Sequence, residues 1–286
     1  MPRVGANLLI RNLAEQPLHL RATQFAMESL LDSDFTETDW RVQVLDDAST
    51  CAATKAYLAE LGRTDPERIK VSTSEEQLGI ARGRNAANRW FAKEWQPDYV
   101  VELHTDHVFP SYWLRPLLEA MEANPRLGIV SPMLLTGRPM GWSSECVALN
   151  YAGEYGEARA AVEAAAARHR RNGAVRPGLT HPALKRWRML QELGGYDEAM
   201  PGLQNFEDTE EAYRATQLGW EVGMCPGSVV WHWYAFSRTR ATPDHHADYL
   251  LNRCYCTEKH GSGFERWCEE LGRDMDAAYS REEARA

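Results

Sequence analysis

Several short clusters in the sequence carry side chains that can bind or move charge. Asp46-Asp47-Ala48-Ser49 sets two carboxylates side by side where an apolar run stops. Such a pair needs donors: the N–H groups of a uracil or guanine ring and the hydroxyls of a ribose would serve, and so would local backbone N–H groups in an Asx turn. Residues 79–88 (GIARGRNAAN) place Arg82, Arg84 and Asn85 near the start of a helical stretch. A helix N-terminus with arginines suits a phosphate; the alternative is a solvated basic face. His104-Thr105-Asp106-His107 combines oxygen and nitrogen ligands after residues 99–103. Strand alternation puts Glu102, His104 and Asp106 on one side if the strand runs on. A divalent ion there would bridge the phosphates of a sugar nucleotide, whereas the plainer reading is a structural Asp at a strand end. Glu207-Asp208 opens a helical stretch. This is either a pair that favours the helix dipole by about 0.3–1 kcal/mol or a carboxylate placed to deprotonate a hydroxyl. His232, between Trp231 and Trp233, is a further ligand or a packed histidine.

The elements that must position these residues follow from periodicity. Residues 4–10, 40–45, 68–72 and 99–103 read as strands, and 18–31, 54–61 and 79–95 between them as helices. Strands alternating with helices predict a mostly parallel sheet with right-handed crossovers and ligands beyond the carboxyl ends of its strands. Both Asp46-Asp47 and His104 to His107 fall there. The second half is less regular: helix 113–124, strand 128–134, and an Ala-rich helix 157–171 that reads as an insertion over one face. Residues 184–189, with their Arg and Trp side chains, lead into a turn at 193–197. Helix 207–218, a strand within 221–233, helix 248–260 and a charged, fraying tail after Asp274 complete the chain.

Composition bounds the function. The 286 residues are 44% apolar and 26% charged, enough for a full core and an ordinary soluble surface. A net charge of −9 argues against a nucleic-acid partner despite basic clusters at 168–171 and 185–188. Six cysteines, with only Cys254 and Cys256 close together, lack zinc-site spacing and read as free thiols. No signal peptide is visible, and no apolar run approaches the roughly 20 residues that span a bilayer. The expectation is a cytoplasmic protein with no transmembrane anchor.

Taken in order, the clusters resemble glycosyltransferase family 2. The series is Asp-Asp-x-Ser after the second strand, Gly-x-x-x-x-Arg-Asn, a strand ending in an x-x-Asp group, Gly-Gly-Tyr-Asp-Glu, Glu-Asp opening a helix, and Gly-Trp before a strand ending in His. The likeness covers residues 4–240 and is most specific in ELGGYDEAM, FEDTEEAYRATQLGW and VVWHW. It implies an α/β protein of GT-A type: a Rossmann-like, mostly parallel sheet flanked by helices, with a smaller acceptor-side region. Within one domain, residues 1–107 would bind the nucleotide sugar, 108–240 would hold the acceptor and catalysis, and 241–286 would form a helical extension. The implied activity is inverting transfer of a sugar from a nucleotide-diphosphate sugar, UDP favoured, to a hydroxyl on a saccharide or small molecule, with a divalent metal, Mn2+ or Mg2+.

The resemblance assigns Asp46, Asp47 and Ser49 to the donor nucleoside, and Arg84-Asn85 to a place beside the donor. Asp106 becomes the main metal ligand and His232 completes the shell. Asp208 becomes the base, with Glu207 beside it at the acceptor. One departure is informative: His104 replaces the first Asp of Asp-x-Asp, on the donor side. Imidazole there, with His107 following, favours manganese or softer ions over magnesium. Trp142, Tyr151, Tyr155, Trp233 and Tyr234 are candidates to stack on an acceptor ring. A homo-oligomer is compatible with the sequence. A nucleotidyltransferase would carry a Gly-rich phosphate loop with a Lys after the first strand, whereas residues 10–21 (IRNLAEQPLHLR) contain no glycine. An inactive binding module of the same fold is the other alternative, and the intact Asp106 and Asp208 speak against it.

Overall fold

A computed structural model describes residues 1–14, 17–136, 145–149, 153–170, 174–233 and 243–283. Its strands are β1 (Arg3–Ile10), β2 (Asp39–Asp47), β3 (Ile69–Ser74), β4 (Tyr99–Leu103), β5 (His107–Val108), β6 (Leu127–Thr136), β7 (Glu145–Cys146), β8 (Ala183–Arg186) and β9 (Glu221–His232). They form one sheet in the order β3-β2-β1-β4-β8-β6-β9-β5, with β7 beside β6. The first four strands pair in parallel in the order β3-β2-β1-β4, as the βα alternation requires. Every residue of β4, YVVEL, is buried, as befits a central strand covered on both faces.

The helices are α1 (Pro17–Leu31), α2 (Ala52–Thr64), α3 (Gly79–Glu94), α4 (Leu114–Ala123), α5 (Tyr155–His169), α6 (Trp187–Leu193), α7 (Glu207–Gln217), α8 (Pro243–His260) and α9 (Ser262–Glu283). One core layer joins Leu8, Val44, Leu103 and Leu134 of the sheet to Met27, Leu58 and Leu117 of α1, α2 and α4. The opposite face packs Val100 and Ile129 against Phe91 of α3, Leu190 of α6 and Ala212 of α7. The Ala-rich α5 lies on β6 and β9 through Val162 and Ala165, as expected of an element added over one face.

Three expectations change. Residues 184–189 divide into the end of β8 and the start of α6, and β8 runs antiparallel to both β4 and β6. Four residues are too few for their alternation to announce a strand. Second, β4 stops at Leu103, so the strand does not run on through His104 and Asp106, and the Glu102 carboxylate is held in the core by Lys185. Third, the tail expected to fray after Asp274 is helical to Glu283 as part of α9, whose Phe264 is buried with Met200, Tyr213 and Cys256. Trp142, Tyr151 and Tyr234 lie outside the described residues. No helix among the described residues is long and apolar enough to cross a membrane, and the six cysteines are free.

Candidate active site

The turn after β2 is knit to its surroundings. Asp47 accepts the backbone N–H groups of Leu78 at 2.6 Å and Gly79 at 3.1 Å, and so ties the start of α3 to the end of β2. Burial pushes its carboxyl above the usual range against the pull of those two bonds. Asp46 accepts the N–H of Ser49 at 3.0 Å, and the Ser49 hydroxyl accepts the N–H of Asn12 at 2.8 Å. All three side chains are buried, so local backbone donors satisfy part of each carboxylate. Gly79, at φ 78°, has no room for a Cβ, which would stand 2.7 Å from the Leu203 carbonyl oxygen. That contact holds the loop before α7 against α3, with the Ile80 N–H donating to the same oxygen.

Arg84 and Asn85 are drawn into the fold. The Arg84 guanidinium donates to the Asn7 carbonyl and, at 2.6 Å, to the Leu103 carbonyl, so it ties the ends of β1 and β4 together. Asn85 exchanges hydrogen bonds with the backbone of Tyr196 at 2.9 Å in both directions. A Cβ on Gly195, at φ 85°, would meet the Asn85 side-chain oxygen at 2.4 Å, which accounts for the glycine in the Gly-Gly-Tyr-Asp turn. Both side chains are buried with these backbone groups as partners, and Asn85 also donates to Glu198 at 3.0 Å.

The metal-ligand candidates converge. His107 in β5 pairs directly with His232 in β9, and the Trp233 N–H donates to the Asp106 carbonyl at 3.0 Å. One ligand atom from each of His104, Asp106, His107 and His232 lies within 4.8 Å of the others, close to the span across an ion with bonds of about 2.1 Å. Asp106 Oδ1 and His232 Nε2 are 3.4 Å apart, and each side chain is 13% exposed. Burial, reinforced by neighbouring imidazoles, holds His104 and His107 well below the usual histidine range, leaving neutral rings able to ligate. His107 Nδ1 accepts the His104 backbone N–H at 3.2 Å, which leaves the proton on Nε2. The set ready for a cation is therefore His104, Asp106 and His232, and its mixed nitrogen and oxygen donors fit a divalent transition metal.

The Glu207-Asp208 pair opens α7 after Asn205 and Phe206, both in the left-handed region at φ 74° and 68°. Burial and the charge of Asp208 push Glu207 up to about 8, so it carries its proton at neutral pH. Burial also disfavours the Asp208 charge, but His181, the Thr209 N–H and Lys185 outweigh it and hold the carboxyl below its usual range. His181 was not among the sequence-derived candidates. Its Nε2 stands 2.5 Å from Asp208 Oδ2, and its ring stacks on His104 with centroids 4.9 Å apart. Its only sequence signal is the short span separating it from the β8 strand, which periodicity did not assign.

Beneath these groups lies a second missed cluster. Lys185 of β8, 1% exposed, donates to Glu102 of β4 at 2.6 Å and also to Tyr196 and to Glu211 of α7. Burial works against the Lys185 charge, but the two carboxylates raise its pKa. Lys185 thus joins the strand before His104, the strand after His181 and the helix that bears Asp208.

The family model described as glycosyl transferase family 2 matches residues 22–138. No curated protein matches the chain in sequence. Among solved structures, GalNAc-T7 with UDP, GalNAc and Mn2+ superposes with a TM-score of 0.60 at 15% identity, covering 82% of this chain and 44% of that one. The mannosyltransferase PcManGT from Pyrobaculum calidifontis, in complex with GDP-Man and Mn2+, gives 0.55 at 20% identity over 81% and 56%. S. aureus TarS 1–349 in complex with UDP-GlcNAc gives 0.55 at 14% identity over 86% and 61%. The chain thus spans less than two thirds of each of these structures, and at such identities the likeness is one of fold. The family match over residues 22–138 and the shared fold around it make the chain similar to glycosyltransferase family 2.

Proposed function

We propose that this chain is an inverting, metal-dependent transferase moving a sugar from a nucleoside-diphosphate sugar, UDP-linked by preference, to a hydroxyl on a saccharide or small molecule. One observation carries this reading: His104, Asp106 and His232 meet at the same edge of the sheet as Asp208, which reaches them through His181. The nucleotide sugars and Mn2+ in the similar structures support it.

On this reading Asp46, Asp47 and Ser49 face the nucleoside, using the acceptor capacity that their local bonds leave over. Residues 1–107 would serve the donor, 108–240 the acceptor, and 241–286 would brace α7. Asp106, His232 and His104 would hold the divalent ion, which supplies positive charge against the leaving diphosphate. Asp208 takes the proton of the acceptor hydroxyl. The acceptor oxygen then attacks the anomeric carbon from the face opposite the nucleotide, and the carbon–oxygen bond to the diphosphate breaks with its electron pair. No covalent sugar–enzyme intermediate forms. Glu207, protonated at neutral pH, donates a hydrogen bond at the acceptor side instead of competing for the proton.

Calorimetric titration with UDP-, GDP- and dTDP-sugars, with and without manganese, tests this on the parent chain, Asp106→Ala and Asp208→Asn. One nucleotide class should bind only with metal, Asp106→Ala should lose that binding, and Asp208→Asn should keep it while losing turnover. Absence of binding by every nucleotide with every ion would overturn the proposal.

A further inference from the structure

We propose that His181 is a positioning residue for Asp208, fixing the orientation of its carboxylate through an imidazole N–H. The inference rests on the reading of Asp208 as the base. Its origin is topological. β8 runs antiparallel to β4, with Glu102 opposite Ala183 and Val101 opposite Leu184. Carried two residues further, the same register sets His181 opposite His104, and the two rings do stack, with planes 17° apart and centroids at 4.9 Å. The imidazole is thus held by the strand that follows it and by the ring beneath it, and its side chain is 13% exposed.

From that fixed place Nε2 reaches Asp208 Oδ2 at 2.5 Å, while the Thr209 backbone N–H reaches Oδ1 at 2.8 Å. A carboxylate with a donor on each oxygen cannot swing, and its remaining lone pairs face one direction. The donor also answers a charge problem. Asp208 follows Glu207 and stands one turn before Glu211, 5% and 0% exposed, and a carboxylate in such company loses its proton only where donors favour the charged form.

His181 acts through Asp208 and does not meet substrate. Its other ring nitrogen, Nδ1, is buried without a hydrogen-bond partner among the described residues, and a base that takes a proton from an acceptor must present that atom to it. The imidazole in this pair therefore orients, and the carboxylate performs the transfer.

The test is steady-state release of nucleoside diphosphate from UDP-N-acetylglucosamine, UDP-N-acetylgalactosamine and GDP-mannose, with Mn2+ and water as acceptor. His181→Leu should lower kcat roughly 10- to 100-fold, the value of a hydrogen bond to a charged group, while donor KM moves less than about threefold. His181→Gln, whose amide N–H reaches the position of Nε2–H, should recover most of that loss. If His181→Leu does not melt cooperatively, His181→Asn, too short to reach Asp208, takes its place. Wild-type kcat in His181→Leu would overturn the proposal, and so would His181→Gln as impaired as His181→Leu, because His181 would then itself carry the proton. Asp208→Asn separates the two levels. Full turnover in Asp208→Asn, or no release from any donor by the parent chain, removes the base reading itself. An inactive Asp208→Asn beside an unimpaired His181→Leu removes only the role of His181.

Discussion

His107 and His232 face each other as a directly paired couple across β5 and β9, their ring centroids 4.8 Å apart. This two-residue pairing folds the His104 to His107 segment back against the far end of the sheet. It carries Asp106, from a loop after β4, to within 3.4 Å of a histidine that ends β9.

The bond from the His104 N–H to His107 Nδ1 divides the four candidates into ligands and a support. In Mn2+ calorimetry, Asp106→Ala, His232→Ala and His104→Ala should each weaken binding by roughly tenfold or more. His107→Asn, which keeps an acceptor for that N–H, should bind nearly as the parent does. Mn2+ at a hundred times its Kd should add about 2.7 kcal/mol to stability, read from the melting temperature, and a chelator should remove it. Equal losses in all four variants would make His107 a ligand.

The buried Lys185 cluster should be costly to break and cheap to replace. Lys185→Met leaves Glu102 and Glu211 facing one another without a cation and should cost about 3–5 kcal/mol in urea denaturation. Adding Glu102→Leu and Glu211→Leu should restore most of that stability, while the loss of the tie between β4, β8 and α7 remains visible as reduced kcat. A triple variant as unstable as Lys185→Met would place the effect in packing.

Asp47 serves α3 whatever else it binds. Asp47→Ala frees the Leu78 and Gly79 N–H groups and should cost about 1–3 kcal/mol, whereas Asp47→Asn, which keeps one acceptor oxygen, should cost less. UDP titration of both variants then separates the tie to α3 from donor contact: a nucleoside role predicts weakened UDP binding in each, whatever their stability.

Glu207 should make stability depend on pH in one direction. Its folded value of about 8 lies above the ordinary 4.5, so its contribution is complete below pH 4.5 and is lost as pH rises to about 8. Glu207→Gln cannot ionise and keeps the neutral form. The melting temperatures of parent and variant should coincide near pH 4 and part in favour of the variant up to pH 8, by the equivalent of about 2–4 kcal/mol. A gap that does not change with pH would mean that Glu207 is ionised in the folded protein.

Much of the donor half was legible because it is built from long periodic segments. β1, β2, β3, β4, α1, α2 and α3 all stand within a few residues of their expected limits, and the two polar clusters lie at the carboxyl end of β2 and just beyond that of β4. Asp106, His232, Glu207 and Asp208 were legible as candidates because motif order survives in one dimension. The packing partners of Arg84 and Asn85 were not. Their residue types suit a phosphate, but what they meet is decided by carbonyls on β1 and β4 and by the turn at Tyr196, 77, 19 and 111 residues away. Nothing local to residues 84 and 85 distinguishes those partners from a ligand.

By itself, then, the sequence determined the βα alternation, the edge of the sheet where chemistry would lie, and the residue types available there. Apolar period and turn chemistry are local properties that act over a few residues. Only the tertiary structure decided that β8 enters the parallel sheet antiparallel, which sets His181 opposite His104 and within reach of Asp208, and Lys185 between Glu102 and Glu211. Register between strands more than 80 residues apart is chosen by packing of the whole sheet, and one step of register would turn each of these side chains to the other face.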